Sequence, residues 1–154
     1  MPATLEHAVE ISGKSFAYQR PWDGRRLDLA ATCPYLAFDT ETEIVDLTRS
    51  VPRLALAAVS TGRQHALLRP DQVADFILRH ADARYVFFNV AFDFWVVDHQ
   101  LRDQGEEKAR RTWWDVCHQD RMHCALLLDM LIRLAEGRTE KAICQAITFE
   151  VRCD

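Results

Sequence analysis
The run Tyr35-Leu-Ala-Phe-Asp-Thr-Glu-Thr-Glu43 constrains this chain more than any other stretch. It reads as a strand that passes through apolar residues and ends in the carboxylates Asp39 and Glu41. Side chains at i and i+2 leave a strand on the same face, so these two stand side by side. Anions held that close repel unless a cation lies between them, and hard divalent ions such as Mg²⁺ or Mn²⁺ take oxygen ligands. The plainer alternative is a strand that runs into an acidic, solvated loop, since most Asp and Glu side chains lie at the surface. This segment alone leaves both open.

The segments around it alternate between strand and helix patterns. Glu10–Gly13 and Ser15–Tyr18 are short strand candidates, Pro21–Gly24 is turn chemistry, and Cys33-Pro34 punctuates the approach to the main strand. Arg53–Ser60 is a second strand, which Thr61-Gly62 turns into Gln64–Leu68 as a hairpin. Pro70 and Asp71 open a helix whose apolar positions Val73, Phe76, Ile77 and Leu78 fit a helical stripe. Arg84–Phe88 is a buried strand that passes through Asn89 into a helical stretch, Val90–Leu101. Beyond a charged connection from Gln104 to Arg111, Thr112–Val116 predicts a short strand. Asp120 is placed to cap a helix from Met122 to Leu134, which Gly137 and Arg138 end. No convincing period follows from Glu140 to Asp154. Antiparallel strands followed by βαβ units predict an α/β fold, a mixed sheet with helices packed on it. The expected organisation is an extension over residues 1–34, a core over 35–136 and an irregular end over 137–154.

A chain of 154 residues is long enough to bury one real core, and its 49% hydrophobic and 27% charged content is ordinary for a globular protein. The net charge of −4 argues against coating nucleic acid by bulk charge, although not against a local basic groove. No apolar run reaches the ~18 residues of a membrane span, and the N-terminus lacks the pattern of a signal peptide. The five cysteines include no Cys-x-x-Cys pair. Reduced thiols in a cytoplasmic protein are therefore the expectation.

A second constellation is Asn89-Val-Ala-Phe-Asp93, where strand passes into helix. Asp93 follows Asn89 by about one helical turn, so both can face the mouth of the sheet. The structural alternative makes Asn89 a helix cap and sets Asp93 at the positive helix end. Phe92, Phe94 and Trp95 surround Asp93 with apolar neighbours, where a carboxylate wants a partner such as a metal.

Phe38-Asp-Thr-Glu41 followed by Asn89–Asp93 resembles the first two motifs of the DnaQ-like 3′–5′ exonucleases, in particular the proofreading domains of family A DNA polymerases. Gln119-Asp120-Arg-Met122 with Ala125–Leu131 resembles the segment of those domains where an Asp opens a helix after the fifth strand. The similarity spans roughly residues 35 to 135. It implies an RNase H-like fold and a nuclease that removes nucleotides from single-stranded 3′ ends, of DNA more than RNA, with DNA repair as its setting. Asp39 and Glu41 would ligate two Mg²⁺ or Mn²⁺ ions, Asp93 would hold the second, and Asn89 would lie near the substrate strand. The aromatics Phe92, Phe94, Trp95, Trp113 and Trp114 are available for stacking, although aromatic residues are more often core.

The family also needs a fourth carboxylate on a late helix, in a Tyr-x-x-x-Asp or His-x-x-x-x-Asp setting. No such setting follows Leu134, and Asp154 is the final residue. A truncated or diverged end, or residues supplied by a protein partner or second copy, would account for this. The rival reading is an inactive RNase H-like module that binds nucleic acid or protein. Cys117, His118, His123 and Cys124 straddle a change from strand to helix, which suits a zinc site poorly. His65 and His80 stand alone. Arg102, Lys108, Arg110 and Arg111 form a basic run beside Glu106 and Glu107, more typical of a solvated loop than of a phosphate contact.

Overall fold
The computed structural model describes residues 8–11, 14–17, 21–29, 34–44 and 50–137. Strands β1 (Ala8–Ile11) and β2 (Lys14–Ala17) pair antiparallel as a separate two-stranded sheet. The predicted strand ends at Gly13 and Tyr18, the Cys33 boundary and the irregular end after Gly137 lie outside the described residues.

The main sheet has five strands in the order β5-β4-β3-β6-β7. Strand β3 (Tyr35–Thr42) is central. On one side it pairs antiparallel with β4 (Leu54–Ser60), which pairs antiparallel with β5 (His65–Leu68). On the other side it pairs parallel with β6 (Arg84–Phe87), which pairs parallel with β7 (Met122–Cys124). The expected mixed sheet, antiparallel first and parallel afterwards, is therefore present, with helices flanking it.

Period-two alternation sorts β3 into two faces. Leu36, Phe38 and Thr40 are buried, while Tyr35, Ala37, Asp39 and Glu41 are exposed. The Phe38 ring is the hub of the core. It lies 6.3 Å from Phe76, 6.0 Å from Tyr85, 5.8 Å from Phe87 and 5.8 Å from Trp113, distances at which aromatic pairs attract. Phe76 belongs to α1 (Val73–Arg79), which follows a 3₁₀ turn at Pro70–Gln72 and buries Val73, Ala74, Phe76 and Ile77. Helix α2 (Val90–Asp103) packs on β3, β4 and β6, and α3 (Glu107–His118) packs on α1 and α2.

Two sequence expectations give way here. Thr112–Val116 is not a strand but the middle of α3. Its buried residues Ala109, Trp113 and Val116 stand at i, i+4 and i+7, a helical stripe that overrides the strand preference of Thr-Trp-Trp. The charged connection before it is correspondingly short. Asp120 does not cap the next helix either. Its φ of 53° is left-handed, and Asp120 N–H and Arg121 N–H donate to the carbonyls of Cys117 and Val116, which closes the end of α3. Helix α4 begins later, at Ala125–Ala135, and its cap is Cys124, whose Sγ accepts from Leu127 N–H. Gly137, at φ 69°, ends it as expected.

Residues 21–29 contribute to the same core. Trp22 and Leu27 are buried in it, and Trp22 N–H donates to the Leu67 carbonyl beside a parallel bridge from Pro21 to Leu67. Helix α4 buries none of its residues, and Leu127, Leu128, Leu131, Ile132 and Leu134 are about half exposed. Among the described residues no helix is long and apolar enough to cross a membrane.

Candidate functional site
Asp39 and Glu41 emerge together from the exposed face of β3, opposite Leu36, Phe38 and Thr40, as the i, i+2 spacing predicts. Opposite Glu41 the register of β3 on β4 slips: Glu41 pairs with Leu56 but Thr42 with Leu54. Such a bulge bends the strand and re-aims the side chains beside it. Asp39 sits at the rim of an open groove of about 440 Å³ lined by Ala37, Ala58, Val86, Phe88 and Ala125.

Asp93 approaches from the other side of the strand. It lies in the first turn of α2, is only 3% exposed, and meets β3 at Thr40. Its Oδ1 accepts from Thr40 N–H at 3.0 Å and from Thr40 Oγ1–H at 2.6 Å. Burial pushes the Asp93 carboxyl above the usual carboxylate range. The two Thr40 hydrogen bonds pull the other way, and the Asp39 charge adds to the rise. Oδ2 takes no hydrogen bond from a described residue. Sequence reasoning missed Thr40, although alternation places this polar residue on the buried face after Leu36 and Phe38, where it needs a partner.

Asn89 occupies the helix cap position, yet only its backbone serves there. Its carbonyl accepts from Phe92 and Asp93 N–H, while its side chain makes no capping bond and stands exposed next to the site. The capping alternative for the Asn89 side chain is thus set aside.

Asp93 meets β3 at Thr40, between Asp39 and Glu41 in sequence but on the opposite face of the strand. Among the described residues, no three His, Cys, Asp or Glu side chains form a ready-made cage for an ion. The donor set still suits Mg²⁺, an all-oxygen ligand seeker that is commonly held by one or two carboxylates with waters and phosphate oxygens completing its shell.

The remaining candidates fall elsewhere. Cys117 and His118 end α3, whereas His123 and Cys124 lie on β7. His80 is a core residue: Nε2 accepts from Leu27 N–H, Nδ1–H donates to the Phe76 carbonyl, and burial lowers its pKa. His65 is exposed. Lys108, Arg110 and Arg111 belong to helix α3, not to a loop. The buried Asp98 of α2, which sequence reasoning did not single out, accepts from Arg110 Nε at 2.7 Å and Nη2 at 3.3 Å, and from Trp114 Nε1 at 2.7 Å.

This chain matches no protein-family model, no curated protein and no solved structure.

Proposed function
We propose that this chain is a metal-dependent 3′–5′ exonuclease of the DnaQ-like type, RNase H-like in fold, that hydrolyses phosphodiesters at single-stranded 3′ ends, of DNA more than RNA. The observation that carries the reading is the pair of hydrogen bonds between Thr40 and Asp93. They join the middle residue of Asp39-Thr-Glu41 to the last residue of Asn89–Asp93, so the two motifs of the resemblance meet in space. The antiparallel-then-parallel sheet supports it further.

Asp39, Glu41 and Asp93 are the residues that would hold Mg²⁺ or Mn²⁺. The chemistry supplied there, with two ions bound, is activation of a water and stabilisation of charge on the attacking and leaving oxygens. The chain's own residues prepare this. Thr40 fixes the Asp93 carboxylate by one oxygen and leaves the other for a ligand. Burial makes ionised Asp93 costly on its own, so a cation is a favourable neighbour. Without one, the negative charge of Asp39 and Glu41 would also repel a phosphodiester. The exposed Asn89 amide is placed to meet the substrate strand.

The test is a 5′-labelled single-stranded oligonucleotide incubated with Mn²⁺ or with EDTA. A ladder that shortens from the 3′ end with Mn²⁺, absent in EDTA and in Asp39→Ala, is the expected result. Equal cleavage in EDTA would overturn the reading. The second reading, an inactive binding module, is favoured by the absence, among the described residues, of three His, Cys, Asp or Glu side chains placed to hold an ion. It requires that millimolar Mn²⁺ leave the melting temperature unchanged, whereas a working site gains stability with occupancy.

A further inference from the structure
Of the aromatics near the site, Phe94 and Trp113 are core, but others are not. Phe92 is 41% exposed and Trp95 47% exposed, and they flank Asp93 on α2. From Trp95 the aromatic contacts continue onto α3. Its ring centroid lies 5.9 Å from Trp114 on α3, and Trp114 lies 5.7 Å from His118. His99, one turn further along α2, is 6.4 Å from Trp95.

This surface is held rigidly. Asp98, 2% exposed and unused by the proposed chemistry, binds the Trp114 indole N–H and the Arg110 guanidinium at once. One buried carboxylate thus fixes a partly buried indole and a cation next to each other. Beside them lies a surface pocket of about 330 Å³ lined by Glu107, Arg110, Arg111, Trp114, Asp115 and His118. Arg111 forms no ion pair with a described residue, and Lys108 stands one helical turn before it on the exposed side of α3. The two carboxylates of the pocket keep the local charge mixed. Exposed aromatic surface on Phe92 and Trp95, more than phosphate contact, is therefore what this surface offers.

We infer that Phe92, Trp95, Trp114 and His118 form a stacking track for single-stranded nucleic acid, leading away from Asp93, with Arg110 and Arg111 touching phosphates beside Trp114. The inference rests on the nuclease reading for its choice of ligand. Stacking on aromatic faces is tolerant of sequence, because every base has a π-face, and it suits an enzyme that must accept any strand. Pre-fixed rings also lower the ordering cost of binding.

The experiment measures the affinity of a fluorescein-labelled 12-mer of thymidine by anisotropy, in EDTA so that no cleavage occurs. Trp114→Leu and Trp95→Leu are each expected to weaken binding about tenfold, with quenching of tryptophan fluorescence on binding in the wild type. Arg111→Ala is expected to weaken it less and to flatten the salt dependence. Trp114 is partly buried, so circular dichroism checks its fold. If that variant does not fold, Trp95→Leu, on the more exposed ring, decides. Affinity unchanged in the folded tryptophan variants, or no binding by the wild type, overturns the track. A protein that binds in this tryptophan-dependent way but never cleaves with Mn²⁺ overturns the nuclease reading and keeps the track. Cleavage with tryptophan-independent binding does the reverse.

Discussion

Thr40 and Asp93, 53 positions apart in the chain, are joined by two hydrogen bonds to a single carboxylate oxygen, one from backbone and one from side chain. The threonine belongs to the buried face of β3, so Asp93 is tied to the strand from behind while Asp39 and Glu41 stand in front. Thr40→Val keeps the shape and the backbone bond but deletes the hydroxyl. Bonds to a charged group are worth ~2 kcal/mol, so the variant should lose about that much stability and more of its metal-dependent activity. Urea unfolding and the cleavage assay check the two arms.

Asp93→Asn should separate stability from function. The amide oxygen can still accept from Thr40, and the buried charge is gone. Melting at neutral pH should therefore be no lower than in the wild type, while cleavage and stabilisation by Mn²⁺ are both lost. A variant that cleaves normally would remove Asp93 from the site.

The pH dependence should carry two opposed components. Burial, first of all, raises Asp93 in the folded state from 3.8, so its stabilising contribution is complete below that value and lost as pH rises through the folded value. His80 is lowered from 6.5, again mainly by burial, so its contribution is complete above 6.5 and lost as pH falls towards the folded value. Melting curves across pH 3–8 should show Asp93→Asn flattening the first slope and His80→Gln the second. Saturating Mn²⁺ should suppress the Asp93 component in the wild type, because an ion-bound carboxylate resists protonation.

Asp120 holds a left-handed φ of 53°, which glycine adopts at less cost. Asp120→Gly should leave activity unchanged and shift stability by no more than ~1 kcal/mol in either direction, since the strain relieved is offset by the freer unfolded chain. A loss of several kcal/mol would instead indicate a capping role for its side chain.

Much of the frame was legible because local and global patterns agree. The alternation of Leu36, Phe38 and Thr40 with Ala37, Asp39 and Glu41, the Thr61-Gly62 hairpin and the helical stripe of α1 all read correctly from spacing alone. The misreadings come from places where tertiary packing chose between two local options. Thr112-Trp-Trp favours a strand locally, yet Trp113 is needed in the aromatic core under Phe38, and only a helix sets Ala109 and Val116 on the same side. Asp120 reads as a cap because Asp often is one, but the turn after α3 takes its left-handed backbone first. At the site, the sequence placed Asp39 with Glu41 and Asn89 ahead of Asp93. The bond that links the two groups runs through Thr40, and a contact 53 residues long has no signature in either motif taken alone.

The pairing of Pro21 and Trp22 with Leu67 has a consequence for how this molecule behaves among its own copies. An open sheet invites other chains to add a strand, and β5 is the outer strand of the antiparallel half. Pro21 lies against that border with no amide hydrogen to offer, and the Trp22 amide is already spent on Leu67. The opposite border, β7, is three residues long before the chain turns into α4. Among the described residues neither border gives a newcomer a long ladder to continue, so this sheet is poorly suited to growth by adding strands from other copies.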